Sequence, residues 1–203
     1  MRSMHLIALV GADGMGKSTQ ARVLADRLES GGFRATCVRP VFLLFDPWKL
    51  RPHSDPVQAL SPRERRLRGR WAPFASLAGY GYAVLTYAYI RAFLRHNEFV
   101  VCDRYFYQYF YDLVGRGARG LARAFPRPDV TFWLDGGLDV LLARVDRPPK
   151  DEAEARYFKD ILEYYRGIAG DLGFVRIDAA EDAGTVGDRI WDALMREGGP
   201  RTT

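Results

Sequence analysis

Short apolar runs alternate along the chain with longer segments in which apolar residues recur every three or four positions. The short runs predict buried strands at 5–10, 34–39, 99–102, 130–134 and 174–177. The longer segments predict helices at 17–29, 77–95, 138–145, 152–172 and 185–196. Strands that alternate with helices imply a parallel sheet covered on both faces, with ligands at the carboxyl ends of its strands.

The size and charge of the chain narrow this picture. With 203 residues, 48% of them apolar, the sequence predicts one compact domain over 1–203. A polar, proline-marked stretch predicts a mobile basic segment at about 50–70, and much of the net charge of +5 comes from 61–70. An excess of basic over acidic residues is consistent with binding to a phosphorylated ligand, an anionic membrane surface or nucleic acid. We do not expect nucleic-acid binding, because the basic residues are not interleaved with aromatic residues in a recognisable module.

One segment, 71–90, carries no charged residue and is about as long as a membrane-spanning helix. Its proline, glycines, alanines and tyrosines make it only moderately hydrophobic. A buried helix crossing one face of the sheet is therefore the better interpretation, and membrane contact is the less favoured alternative.

Cys37 and Cys102 lie in apolar runs without C-x-x-C spacing, which predicts reduced thiols. The first apolar run leads directly into a glycine-rich loop, so it predicts a strand rather than a signal peptide, and we expect a cytoplasmic protein.

That glycine-rich loop is the most specific motif. Residues 11–18 (GADGMGKS) satisfy the pattern G-x-x-x-x-G-K-[ST] between a predicted strand and a predicted helix. In such a loop backbone N–H groups and the helix N-terminus face the phosphates of ATP, the lysine bridges the β- and γ-phosphates, and the serine hydroxyl holds Mg²⁺. The predicted ATP-binding residues are Gly11, Ala12, Asp13, Gly14, Met15, Gly16, Lys17, Ser18 and Thr19. Hydrolases, motors and kinases share this loop, so it leaves the reaction open.

A second motif follows the third predicted strand, where the sequence continues Asp103-Arg104-Tyr105. In a parallel sheet Asp103 faces the phosphate loop across the strand ends. There it can hold Mg²⁺ through water or orient the attacking oxygen. Arg104 can neutralise charge on the transferred or accepting phosphoryl group. Taken alone, the two residues would be better interpreted as a surface ion pair at the end of a strand, and only their combination with the phosphate loop favours the functional interpretation.

With these motifs the chain resembles the thymidylate kinase family of nucleoside monophosphate kinases. The resemblance rests on 11–20 and 103–105, and it extends over nearly the whole chain through 128–135, 142–144, 157–158, 165 and 177–179. It implies a three-layer α/β fold with a five-stranded parallel sheet in the order 2-3-1-4-5, and a lid at about 144–156. It also implies transfer of the ATP γ-phosphoryl group to a phosphorylated small acceptor such as dTMP, with Mg²⁺ as cofactor. We further expect a homodimer.

The resemblance also implies roles for single residues. Asp13 matches an acid near the acceptor sugar hydroxyl, and Arg39 and Arg104 match two arginines at the acceptor phosphate. Lid cations are expected at Arg144, which would contact ATP, and at Arg147 and Lys150, the best candidates for a catalytic charge. A solvated lid face is the alternative for these cations. The residues expected nearest the acceptor pocket are Tyr105, Tyr107 and Gln108.

The chain departs from the family pattern around the acceptor. Arg39 is followed by Pro-Val-Phe where the family has Glu-Pro-Gly-Gly, and no arginine lies near Tyr82, where a base-recognition arginine is expected. Aromatic residues at 106–111 replace small serines, which predicts a reshaped acceptor pocket. Two alternatives therefore stay open. One is a kinase of an unphosphorylated nucleoside or other metabolite, and the other is a nucleotide-binding regulatory protein with little transfer activity.

Overall fold

The computed structural model of the chain describes residues 4–43, 72–144, 149 and 151–197. Its five strands are β1 His5–Val10, β2 Ala35–Val38, β3 Phe99–Asp103, β4 Val130–Asp135 and β5 Val175–Asp178. Within the described ranges the helices are α1 Lys17–Ser30, α2 Ala72–Phe93, α3 Phe106–Val114, α4 Ala118–Ala124, α5 Gly137–Arg144, α6 Glu152–Leu172 and α7 Ala183–Arg196. Single 3-10 turns lie at Pro40–Phe42 and Gly115–Gly117.

All five strands form one parallel sheet in the order β2-β3-β1-β4-β5, which confirms the predicted fold. Leu9 lies opposite Asp103 and Val10 lies opposite Trp133, so the carboxyl ends of the three central strands meet at one edge. Every residue of β3, and all but the first of β1 and β4, is buried on both faces of the sheet. That burial explains why the sequences of these strands are nearly continuous runs of apolar residues.

The predicted strands and most predicted helices agree with the structure to within one or two residues. The largest differences lie between β3 and β4, where the sequence predicted no helix and the structure has α3 and α4. In α3 aromatic residues occupy successive positions, so the sequence shows little contrast between a buried and an exposed face. The helix buries Phe106, Tyr107, Gln108 and Phe110.

Helix α2 begins at Ala72, five residues before its predicted start, and it packs against α3. The interpretation of α2 as a buried helix is only half right. Ala83, Thr86 and Ile90 are buried, whereas Leu77 and Leu85 are 72% and 65% exposed. Within the described part of the chain, no helix is both long and apolar enough to cross a membrane.

Two predicted segments fall partly or wholly outside the described residues. The basic segment at 50–70 lies outside them entirely, as do 145–148 and 150 of the lid. The described end of the lid is the start of α6, where the Asp151 carboxylate accepts a hydrogen bond from the backbone N–H of Glu154 at 2.8 Å. This N-cap fixes where α6 begins.

Candidate active site

The phosphate loop is shaped by its glycines. Gly11, Gly14 and Gly16 have φ angles of 140°, 82° and 80°, a region that favours glycine. A Cβ at Gly11 would lie 2.5 Å from the carbonyl oxygen of Leu134 on β4, so a side chain is excluded there by contact as well as by conformation. The loop therefore lies tight against the sheet and turns directly into α1.

Lys17, the first residue of α1, points back into this loop. Its side chain is 3% exposed, and Nζ donates to the carbonyl oxygen of Ala12 at 2.5 Å and lies 3.5 Å from Asp13 Oδ1. Burial, followed by the charge of Arg104, lowers the pKa of Lys17 to about 7, although Asp13 opposes the shift. The ammonium group is thus held where water solvates it poorly, so a phosphate that entered the loop would interact with it strongly.

Arg104 reaches the same loop from the end of β3. In the part of the chain that the structure describes, it is the one non-glycine residue with a positive φ, 74°. Its backbone N–H donates to the carbonyl oxygen of Leu9 at 3.0 Å, and Nη1 pairs with Asp13 Oδ1. Such backbone conformations cost free energy and are found where a side chain must be aimed.

Asp13 is consequently held between two cations. Burial raises the pKa of its carboxyl group, but Lys17 and Arg104 outweigh burial and hold the pKa well below its usual range. The carboxylate stays ionised at any physiological pH. It fixes Arg104 beside the phosphate loop.

Asp103 and Ser18, the two predicted metal ligands, also come together. Asp103 is fully buried, and its Oδ2 accepts from Arg39 Nε at 3.0 Å and from Arg39 Nη2 at 2.6 Å. The same Nη2 donates to Ser18 Oγ at 3.0 Å. Arg39 follows β2 directly, so one guanidinium joins the ends of two neighbouring strands and the start of α1.

The residues at this point fit Mg²⁺. Ser18 Oγ and the Asp103 carboxylate are oxygen donors of the type that this ion prefers, and both already contact a single cationic nitrogen. Asp103 Oδ1 is buried and has no hydrogen-bond partner among the residues that the structure describes, so it is available to a metal or to metal-bound water.

A further hydrogen-bonded group lies on the other side of Asp13. Gln108 on α3 accepts from Arg104 Nη1 at 3.2 Å and donates to Asp13 Oδ2 at 3.3 Å and to the Tyr157 hydroxyl at 3.4 Å. Tyr157 on α6 in turn donates to Asp112 Oδ1 at 2.8 Å. The sequence predicted Gln108 but missed Tyr157 and Asp112. The four-residue spacing of Gln108 and Asp112 would have indicated one helix face if α3 had been recognised.

Not every predicted site residue joins this cluster. Tyr105 is fully buried and its hydroxyl donates to the carbonyl oxygen of Pro126 at 2.8 Å, so the structure places this side chain in the core, and its contact with the acceptor stays a prediction. Of the other loop residues, Met15 is buried and Thr19 is exposed. Arg144 is exposed, and its Nη2 donates to the carbonyl oxygen of Glu181 beyond β5 at 3.0 Å. Arg147 and Lys150 lie outside the described residues.

Comparison with known proteins gives sequence relatives of nearly full length, although no protein-family model matches the chain. A thymidylate kinase of Synechococcus sp. (strain JA-3-3Ab) is 30% identical, over 93% of this chain and 94% of its own length. A thymidylate kinase of Bradyrhizobium diazoefficiens is 29% identical, over 94% of this chain and 88% of its own length. A thymidylate kinase of Methylococcus capsulatus is 27% identical, over 86% of both chains.

Proposed function

Because the chain belongs to the thymidylate kinase family, we propose that it transfers the γ-phosphoryl group of ATP to a nucleoside monophosphate, with thymidine monophosphate as acceptor. The observation that carries the proposal is the Arg104–Asp13 pair beside the buried Lys17. A phosphate loop alone is shared by many reactions. An arginine aimed at that loop from the next strand end supplies the second positive charge that transfer between two phosphates needs.

Catalysis in this proposal consists of positioning and charge neutralisation. Lys17 leaves the Ala12 carbonyl oxygen for the phosphates of ATP, and Arg104 neutralises the phosphoryl group in transit. Ser18 and Asp103 are the residues that would hold Mg²⁺, which supplies further neutralisation at the transferred group. Arg147 and Lys150 remain the proposed lid cations, and Arg144 is proposed at ATP.

The acceptor is proposed to lie beside Asp13, Arg104 and Gln108, with Arg39 available to its phosphate. Support comes from the shared hydrogen bonds of the first three residues at the carboxyl ends of β1 and β3. The base is proposed to meet a surface that departs from the family pattern. Tyr82 takes the place expected for an arginine, and its hydroxyl donates to the carbonyl oxygen of Val41 at 2.8 Å.

We also propose that the protein is a cytoplasmic homodimer. Leu77, Val84 and Leu85 are exposed and lie on one face of α2, because positions separated by seven or eight residues share a helix face. Uncharged surfaces of this kind are typical of subunit interfaces. A second copy of α2 is the proposed partner of this face, and nucleic acid is not expected as a partner.

A coupled assay that detects ADP tests the proposal with a panel of acceptors: the thymidine, uridine, cytidine, adenosine and guanosine monophosphates, and the corresponding nucleosides. We expect turnover with thymidine monophosphate and its loss in Lys17→Met. Turnover of nucleosides but of no monophosphate would contradict the proposed acceptor class. ATP binding without transfer to any acceptor would favour a regulatory protein instead.

A further inference from the structure

Asp112 on α3 is joined by hydrogen bonds to the charged residues at the phosphate loop. Its Oδ1 accepts from the Tyr157 hydroxyl at 2.8 Å. That hydroxyl lies 3.4 Å from Gln108 Nε2, which also donates to Asp13 Oδ2 at 3.3 Å. Gln108 Oε1 accepts from Arg104 Nη1 at 3.2 Å. These five side chains, called here the Asp112 network, form a continuous path from the far end of α3 to the loop.

The chemistry of the side chains fixes the direction of each hydrogen bond in the Asp112 network. A carboxylate only accepts and a guanidinium only donates, so Gln108 turns its oxygen to Arg104 and its amide nitrogen to Asp13. The same nitrogen can only donate to Tyr157. Because the Tyr157 hydroxyl accepts that bond, its single proton is left for Asp112, and every donor in the network meets an acceptor.

We propose that Asp112 is a positioning residue for the acceptor. By holding the proton of Tyr157, the carboxylate keeps the oxygen lone pair of Tyr157 directed at Gln108, and Gln108 in turn holds Arg104. Without Asp112 the hydroxyl proton would be free to turn toward Gln108 Nε2, where a donor would meet a donor. The inference rests on the proposed function, since it takes the acceptor to lie beside Arg104 and Gln108.

Burial makes the contacts of the Asp112 network hard to replace with water. Gln108 is only 6% exposed, and Tyr157 and Asp112 are both partly buried. Burial, followed by the charge of Asp112, raises the pKa of Tyr157, so the hydroxyl keeps its proton at any physiological pH. A buried amide that loses a partner is not compensated by solvent, so the loss is felt by the remaining members.

Two helices supply the far part of the Asp112 network. Gln108 and Asp112 are four residues apart on α3 and therefore share one face of that helix. Tyr157 reaches both from the second turn of α6, whose start is fixed by the N-cap at Asp151. The network thus sets the position of Gln108 from two directions at once.

Action through Tyr157 makes the proposal measurable. If Asp112 influences the acceptor through Tyr157, removal of either side chain should have a similar effect, and removal of both should do no more than removal of one. Loss of one hydrogen bond of this kind changes affinity by about 2-fold to 10-fold. Any effect of Asp112 through a different contact would persist when Tyr157 has lost its hydroxyl.

The test measures the Kd of thymidine monophosphate by calorimetry in a double-mutant cycle of Asp112→Leu and Tyr157→Phe. We expect each single variant to weaken binding by about 2-fold to 10-fold, and the double variant to bind no more weakly than Tyr157→Phe. Asp112→Asn keeps an oxygen that accepts, so its Kd should stay within about 2-fold of that of the unchanged protein. The control is Asp160→Leu, which removes a carboxylate one turn from Tyr157 on α6 and should leave Kd unchanged. Asp112→Ala replaces Asp112→Leu in the cycle if the latter does not fold.

A second measurement needs no ligand, so it separates a failure of this inference from a failure of the proposed function. The side-chain amide resonances of Gln108 are followed by ¹⁵N NMR in the protein alone. Asp112→Leu and Tyr157→Phe should both shift them, whereas Asp160→Leu should not. Losses of affinity that multiply in the double variant, or Gln108 resonances unchanged by Asp112→Leu, would overturn the inference. If thymidine monophosphate does not bind the unchanged protein, the proposed acceptor fails and the resonances alone decide whether Asp112 positions Gln108.

Discussion

Binding of ATP should draw a proton from solution onto Lys17. The ammonium group is 3% exposed, and burial together with Arg104 lowers its pKa to about 7 in the nucleotide-free protein. Phosphate oxygens at the loop would favour the charged form and return the pKa toward its ordinary value. A group whose pKa rises on binding takes up a proton, so affinity for ATP should be greatest below pH 7 and should fall as the pH rises above it.

The size of the effect follows from the two pKa values. With a pKa of about 7 before binding and about 10.5 afterwards, proton uptake is about 0.9 per nucleotide at pH 8 but about 0.1 at pH 6. Between pH 8 and pH 10 the affinity should fall by about tenfold for each pH unit. Over this range ATP itself is almost fully ionised, so its own titration contributes little.

Calorimetry of ATP binding at pH 8 in buffers of different ionisation enthalpy measures the uptake directly. The matched control is Lys17→Arg, because a guanidinium stays charged across this range and cannot take up the proton. We expect the uptake to disappear in that variant. An uptake near zero in the unchanged protein, or an equal uptake in Lys17→Arg, would refute the assignment of a neutral fraction to Lys17.

Three further predictions follow from the packing around the site. Gly11→Ala should lower the free energy of unfolding by about 1–3 kcal/mol in urea titrations, because Cβ meets a strand carbonyl, whereas Gly170→Ala, in open space on α6, should not lower it. Tyr157→Phe should raise KM for the acceptor about 2-fold to 10-fold in steady-state assays, with KM for ATP nearly unchanged, through loss of its hydrogen bonds. An equal rise in both constants would contradict that reading. Leu85→Glu should convert the dimer to a monomer in analytical ultracentrifugation, while Leu142→Glu, on the exposed side of α5, should leave it intact.

The sequence was sufficient to predict the fold. The apolar runs marked the strands, because parallel strands buried on both faces carry few polar residues. The position of the phosphate loop after β1 and of Asp103 after β3 then placed both motifs at one edge of the sheet. These inferences needed only local pattern and the rule that ligands bind at strand ends.

The contacts between side chains could not be predicted from the sequence, because they join residues that are far apart along the chain. The contact of Arg39 with Asp103 joins residues 64 positions apart, and Arg39 has both a carboxylate and a hydroxyl within reach. No local pattern distinguishes that arrangement from a guanidinium turned to solvent or to a ligand. The same limit applies to Tyr157 on α6, because its contact with Gln108 depends on how α6 packs relative to α3. The sequence also could not show that Arg104 contacts Asp13 while its neighbour Tyr105 donates to a backbone carbonyl in the core.

The central claim is transfer of a phosphoryl group between two nucleotides, and labelled ATP tests it most directly. The protein is incubated with γ-³²P-ATP, Mg²⁺ and thymidine monophosphate, and the products are separated by chromatography. The account predicts that the label appears in thymidine diphosphate and that Lys17→Met abolishes this product. Label found only in inorganic phosphate, or only in ATP, would contradict it.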